Sequence, residues 1–170
     1  MPVSITHINN SSDREFVETL AGIYEHSPWV AELVVSQKPF ESRHQLHQVM
    51  AEAMHQSPEV QRMELLCRHP ELAGKEAAEG KLTDDSRREQ AGAGLNHCSR
   101  EELDKIAGLN QRYRKKFDFP FIIAVTGLNK QQIISAMETR LSNDSAVEFE
   151  TALREVEKIA LIRLSALIDN

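Results

Sequence analysis

Apolar residues recur at helical spacing along nearly all of this 170-residue chain, and only one stretch departs from it. That stretch, Phe117-Asp118-Phe119-Pro120-Phe121-Ile122-Ile123-Ala124-Val125-Thr126-Gly127, is aromatic and β-branched, broken by proline and closed by glycine, so it reads as extended. A lone extended run has no strand to pair with, and its backbone groups must be satisfied otherwise. Side chains of neighbouring helices are one solution; a small polar ligand, such as a planar cyclic amide or urea, is another. The expected fold is therefore all-α: a single-domain multi-helix bundle over residues 1–170 with one short extended segment near Phe119 to Thr126. An apolar content of 41% supports one core at this length without metal or disulfide.

Capping signals divide the helical remainder. Ser12 and Glu15 open a helix expected to run to Glu25, and a shorter piece spans Pro28 to Ser36. Ser42 to His55 carries Leu46, Val49, Met50, Ala53 and Met54 on one side. Ser57 to Arg68 follows, with Val60, Met63 and Leu66 as its apolar positions. Gly74 to Lys81 reads as a turn and a short exposed helix, with Gly74 as a helix stop. Thr83 to Gly92 is again helical. Ser99 and Glu102 box a helix to Phe117 whose stripe is Leu103, Ile106, Asn110, Tyr113 and Phe117. Asn129 caps Lys130 to Leu141, and Ser145 with Glu148 boxes a last helix to about Ile168.

Histidine followed by proline, His69-Pro70, stands where the Ser57 helix must end, because proline excludes the preceding residue from helical backbone. An imidazole at a helix's negative end is favoured as a cation by about 0.3 to 1 kcal/mol, which suits a proton donor. The plain alternative is a helix-capping histidine without chemistry. Arg163 falls on the same face as Phe149, Leu153, Val156, Ala160, Leu164 and Leu167. A charge there must be paired, bind an anion, or lie at the stripe's edge and reach out to solvent. A substrate carboxylate would match its planar fork.

A net charge of -6 and no long basic block argue against nucleic acid or an acidic membrane surface as partner. The short cationic run Arg112 to Lys116 reads as a solvated helix face. Cys67 and Cys98 are too few for a disulfide framework and read as packed thiols in a reducing compartment. No apolar run approaches the roughly 20 residues of a membrane span, and the expected location is cytoplasmic. His44 and His47 stand one turn apart, yet no carboxylate or cysteine completes a metal-ligand pattern with them, so no metal is expected.

Taken in order, HPELAGK from His69, LTDDSRREQAGAGL from Leu82, LNQRYRKKFDFPFIIAVTG and the closing KIALIRL resemble the OHCU decarboxylase family. Those enzymes need no cofactor and convert 2-oxo-4-hydroxy-4-carboxy-5-ureidoimidazoline (OHCU) to (S)-allantoin in urate breakdown. Nearly the whole chain takes part in the resemblance, and Glu71 stands where the family commonly has Asp. The resemblance implies that His69 is the proton donor, with Glu89 beside it in catalysis. It places substrate contacts at Pro70, at Ser86, Arg87, Arg88, Glu89 and Gln90, at Phe121, Ile122, Ile123, Ala124 and Val125, and at Arg163. It also implies an all-helical homodimer. Without the resemblance, a non-catalytic helical binding or interaction module would account for the same helices, and Arg87, Arg88 and Glu89 would be no more than the wet face of theirs.

Overall fold

The computed structural model describes residues 1–169, and helix makes up nearly all of its regular structure. Its packing divides into two compact units: Met1–Arg68 with the residues from Val156 onward, and His69–Glu155. The boundary falls at the helix exit that His69-Pro70 marks, and again part-way along the last helix.

The first unit contains β1 (Val3–Ser4), α1 (Ile5–Asn10), α2 (Asp13–Leu20), α3 (Trp29–Val34), α4 (Arg43–Gln56), α5 (Glu59–Arg68) and β2 (Ile168–Asp169). β1 and β2 form a two-residue parallel pair, Val3 opposite Ile168 and Ser4 opposite Asp169. Neither this pair nor α1 is legible in the sequence, since such short elements fall below what periodicity resolves. Ser4, Ser12 and Ser42 each cap their helix by accepting the amide three residues on. Phe16, Leu20, Val30, Leu46, Met50, Met54, Leu65 and Leu66 form the core. α2 ends at Leu20, five residues before the expected Glu25, and the chain turns there through Gly22. Val60, one of the apolar positions of α5, is 78% exposed. A ladder built only of i, i+3 steps drifts by about 60° per step, so Val60 stands about 120° from Leu66.

The second unit contains α6 (Lys75–Ala78), α7 (Asp84–Gly92), α8 (Arg100–Phe117), α9 (Lys130–Arg140) and the first part of α10 (Ser145–Leu167). Ile106, Asn110, Tyr113 and Phe117 are buried as the α8 stripe requires, whereas Leu103, in the helix's first turn, is 42% exposed. Gly74 starts α6 rather than stopping a helix. A side chain there would put its Cβ 2.7 Å from the Cβ of Glu71, so the glycine answers a close approach. Capping boxes close at Ser99 with Glu102 and at Asn129 with Gln132. The box expected at Ser145 is replaced: Asp144 accepts the Val147 amide at 2.8 Å through its side chain, and Glu148 turns inward, 0% exposed.

Glu102 carries a pH-dependent share of this unit's stability. Its carboxylate accepts the Ser99 amide at 2.9 Å and Lys130 Nζ at 3.0 Å, and these bonds, the backbone one foremost, hold its pKa below the ordinary glutamate value. A depressed carboxylate stabilises the fold above its unfolded-state pKa, about 4.3, and the contribution disappears as pH falls through the folded value. Thermal melts should therefore show Glu102→Gln less stable than the parent at neutral pH, with the two converging in acid. Parallel melting curves down to acid pH would contradict this assignment.

Candidate active site

α5 ends at Arg68, and His69, 7% exposed, begins an irregular loop to Gly74. Three hydrogen bonds from two helices hold the loop. Gln90 on α7 accepts the Ala73 amide at 3.0 Å, Asn110 on α8 donates to the Leu72 carbonyl at 2.9 Å, and Arg114 donates to Glu71 at 3.0 Å. Ala73 sits at φ 47°, left-handed backbone that an alanine adopts only where its surroundings impose it. Both polar ends of the Leu72–Ala73 peptide that leads into its Cα are held by these bonds. The Glu71 that departs from the family pattern keeps a carboxylate for Arg114 to hold.

α7 presents an unusual inward face. Ser86 and Gln90 are 4% and 5% exposed, and Glu89 beside them is half-buried. These positions follow i, i+3, i+4 spacing, which normally carries apolar residues toward a core. Thr83 caps the helix by accepting the Ser86 amide. Arg87 and Arg88 lie on the opposite, exposed side, where Arg87 pairs with Asp84 at 2.6 Å and Arg88 pairs with Asp85. The structure thus separates the five residues of this segment: Ser86, Glu89 and Gln90 inward, Arg87 and Arg88 outward.

The extended run follows α8, which closes at Asp118 in left-handed backbone, φ 63°. Phe119, Phe121, Ile122 and Val125 are buried, while Ile123 and Ala124 are half-exposed. Tyr113 gathers the aromatic rings, with centroids of Phe117, Phe119 and Phe121 at 4.6, 5.8 and 5.2 Å. The segment forms no strand. A neighbouring helix meets its backbone at the Ile122 carbonyl, to which Arg140 Nη1 donates at 2.6 Å. The Val125 carbonyl accepts Leu128 N–H at 2.9 Å in the turn that Gly127 closes.

His69, Pro70, the Ser86 to Gln90 segment and the Phe121 to Val125 segment all belong to the second unit; Arg163 belongs to the first. Arg163 is buried, not at an edge, and its Nη1 donates to Glu25 at 2.8 Å and to the Gly22 carbonyl at 3.0 Å. Glu25 is 1% exposed, so this pair is deeply desolvated. Sequence reasoning missed Glu25, and it missed the buried Arg140, Glu148 and Tyr113 set. For Arg140 the legible signal is its place seven residues after Ile133 and three after Met137, on the helix's apolar face.

The histidines have other occupations. His47 Nε2 lies 3.1 Å from the Glu157 carbonyl, and His55 Nε2 lies 2.9 Å from the Glu157 carboxylate. His44 is exposed. Cys67, expected to be packed, is exposed; Cys98 is half-buried and its thiol pKa is raised, chiefly by burial.

The family model described as OHCU decarboxylase matches residues 9–165, both units included. This chain belongs to the OHCU decarboxylase family. A 2-oxo-4-hydroxy-4-carboxy-5-ureidoimidazoline decarboxylase of Haloferax volcanii is 39% identical over 163 residues, which is 96% of this chain and 95% of that protein. The uric acid degradation bifunctional protein of a Bacillus species is 37% identical over 96% of this chain, and the matched part is 32% of that longer protein. Among solved structures, an (S)-allantoin synthase superposes with a TM-score of 0.79 at 33% identity, over 98% of this chain and 55% of that one. Among the described residues, no helix is long and apolar enough to cross a membrane.

Proposed function

We propose that this chain is a cofactor-independent carboxy-lyase that decarboxylates OHCU to (S)-allantoin in urate catabolism. What carries the reading is the inward polar face of α7 in a member of this family, within the same unit as a buried histidine held by its loop. The chain is proposed to work as a single domain, since the family match spans both units, and as a cytoplasmic homodimer.

In the reaction the bond between the ring carbon and the carboxylate breaks and carbon dioxide leaves. The electron pair passes into the substrate's own conjugated ring nitrogens. His69 then gives a proton to one face of the adjacent ureido-bearing carbon and recovers a proton from water, while the hydroxyl proton passes to the ring nitrogen and a carbonyl forms, which balances the step and yields one enantiomer. Glu89 is assigned the 4-hydroxyl or ureido hydrogens, with Ser86 and Gln90 beside it. Pro70 forms a wall next to the imidazole, and Phe121 to Val125 meet the ring and ureido group through backbone amides and carbonyls. Arg163 is assigned an anionic group of the substrate, and Arg87 and Arg88 an outer contact.

Freshly generated OHCU, followed by circular dichroism of the product, tests the proposal. Accelerated formation of optically active allantoin is expected. Racemic allantoin formed at the spontaneous rate would refute it.

A further inference from the structure

We infer that Arg140 is a positioning residue for the reaction, acting by aiming the Ile123 amide at the substrate; the inference rests on the decarboxylase reading. Arg140 closes α9 and is 8% exposed. Its Nη1 donates to the Ile122 carbonyl at 2.6 Å, its Nε to Glu148 at 2.5 Å, and its Nη2 reaches the Tyr113 hydroxyl at 3.4 Å. Its guanidinium carbon lies 4.3 Å from the centre of the Phe121 ring.

Glu148, fully buried, also accepts the Tyr113 hydroxyl at 2.6 Å and the Asn143 side-chain amide at 3.0 Å. Burial and the Glu148 bond keep Tyr113 a neutral phenol, its pKa driven far upward. The guanidinium is therefore fixed by Tyr113 from α8 and Glu148 from α10, and Asn143 in the α9–α10 turn holds the other oxygen of Glu148. Its remaining fork end is committed to one carbonyl in an irregular segment.

A buried ion pair is a poor device for stability alone, since apolar residues of similar size replace such pairs without loss. Apolar residues give no donor to Ile122. The Ile122 carbonyl and the Ile123 N–H belong to one rigid trans peptide plane and point in opposite directions. Holding the oxygen toward Arg140 therefore turns the Ile123 N–H away from it, at the stretch where Ile123 and Ala124 are half-exposed. A misplaced donor of this kind costs about a hundredfold in rate even at roughly 1 Å.

Two variants isolate this role: Arg140→Lys, and the double replacement Arg140→Met with Glu148→Leu, which removes the buried charges together. Each is measured for melting temperature, for kcat and KM on OHCU, and for enantiomeric purity of the allantoin. In parallel, the Ile123 amide is followed by ¹⁵N NMR during titration with (S)-allantoin. The folded double variant is expected to lose about a hundredfold in kcat/KM, with falling enantiomeric purity. Arg140→Lys is expected to lose about tenfold or more, with its melting temperature near the parent's. The Ile123 amide should shift on titration in the parent and respond more weakly in both variants. Parent-like kinetics and purity in either folded variant would overturn the inference, as would an Ile123 amide indifferent to allantoin in the parent. Failure of the parent to turn over OHCU would instead refute the decarboxylase reading, and the NMR result then decides the role of Arg140 by itself.

Discussion

Replacing His69 with alanine is expected to lower kcat/KM for OHCU by about 10² to 10⁴, the range in which a positioned acid or base contributes. At about 1.36 kcal/mol per decade, this is roughly 2.7 to 5.5 kcal/mol of transition-state stabilisation. The loop should keep its shape, because Gln90, Asn110 and Arg114 hold the Ala73 amide, the Leu72 carbonyl and Glu71 from two helices. None of those bonds involves the imidazole. Far-ultraviolet circular dichroism should accordingly match the parent while turnover collapses, and the residual product should lose optical purity as water supplies the proton to either face. Glu89→Gln is the companion variant, keeping volume and hydrogen bonding while removing charge from a half-buried position. A His69→Ala protein that retains parent-like kcat/KM would remove the imidazole from the mechanism.

Local chemistry explains why so much of the helical layout was legible and where legibility stopped. The caps at Ser42, Ser99 and Asn129 involve residues three apart, so sequence spacing contains the whole interaction. Ser145 and Glu148 show the same spacing, yet Glu148 is drawn inward by Arg140, eight residues earlier, and by Tyr113, 35 residues earlier. A local pattern cannot reveal that competition. Val60 lies in an apolar series that drifts off the buried stripe, and Leu103 lies on the stripe but in an exposed first turn, and nothing in either series marks where the cover ends. The placement of the candidate site residues divides in the same way. His69 was readable because proline fixes its backbone, and Arg163 because its own helix gives its direction. Their anchors were not: Gln90 reaches the loop across 17 residues, Asn110 across 38, and Arg163 meets the Gly22 carbonyl across 141.

The Arg163 pair carries the largest stability effect expected of a single substitution. Arg163 and Glu25 have side chains 4% and 1% exposed and meet at 2.8 Å, so neither charge has water to fall back on. Glu25→Ala strands the guanidinium, and breaking a buried pair from one side costs about 3 to 5 kcal/mol. For a domain of this size, that lowers the melting temperature by on the order of 10 °C. Removing both charges, Glu25→Leu with Arg163→Met, should recover most of the loss, because the cost lies in the orphaned ion rather than in the missing contact. Activity need not follow stability. If Arg163 also meets the substrate's anionic group, the double variant folds well and still fails to decarboxylate OHCU, whereas a purely structural arginine returns both together. A melting temperature for Glu25→Ala within about 2 °C of the parent would show that the pair is not the desolvated ion pair its burial describes.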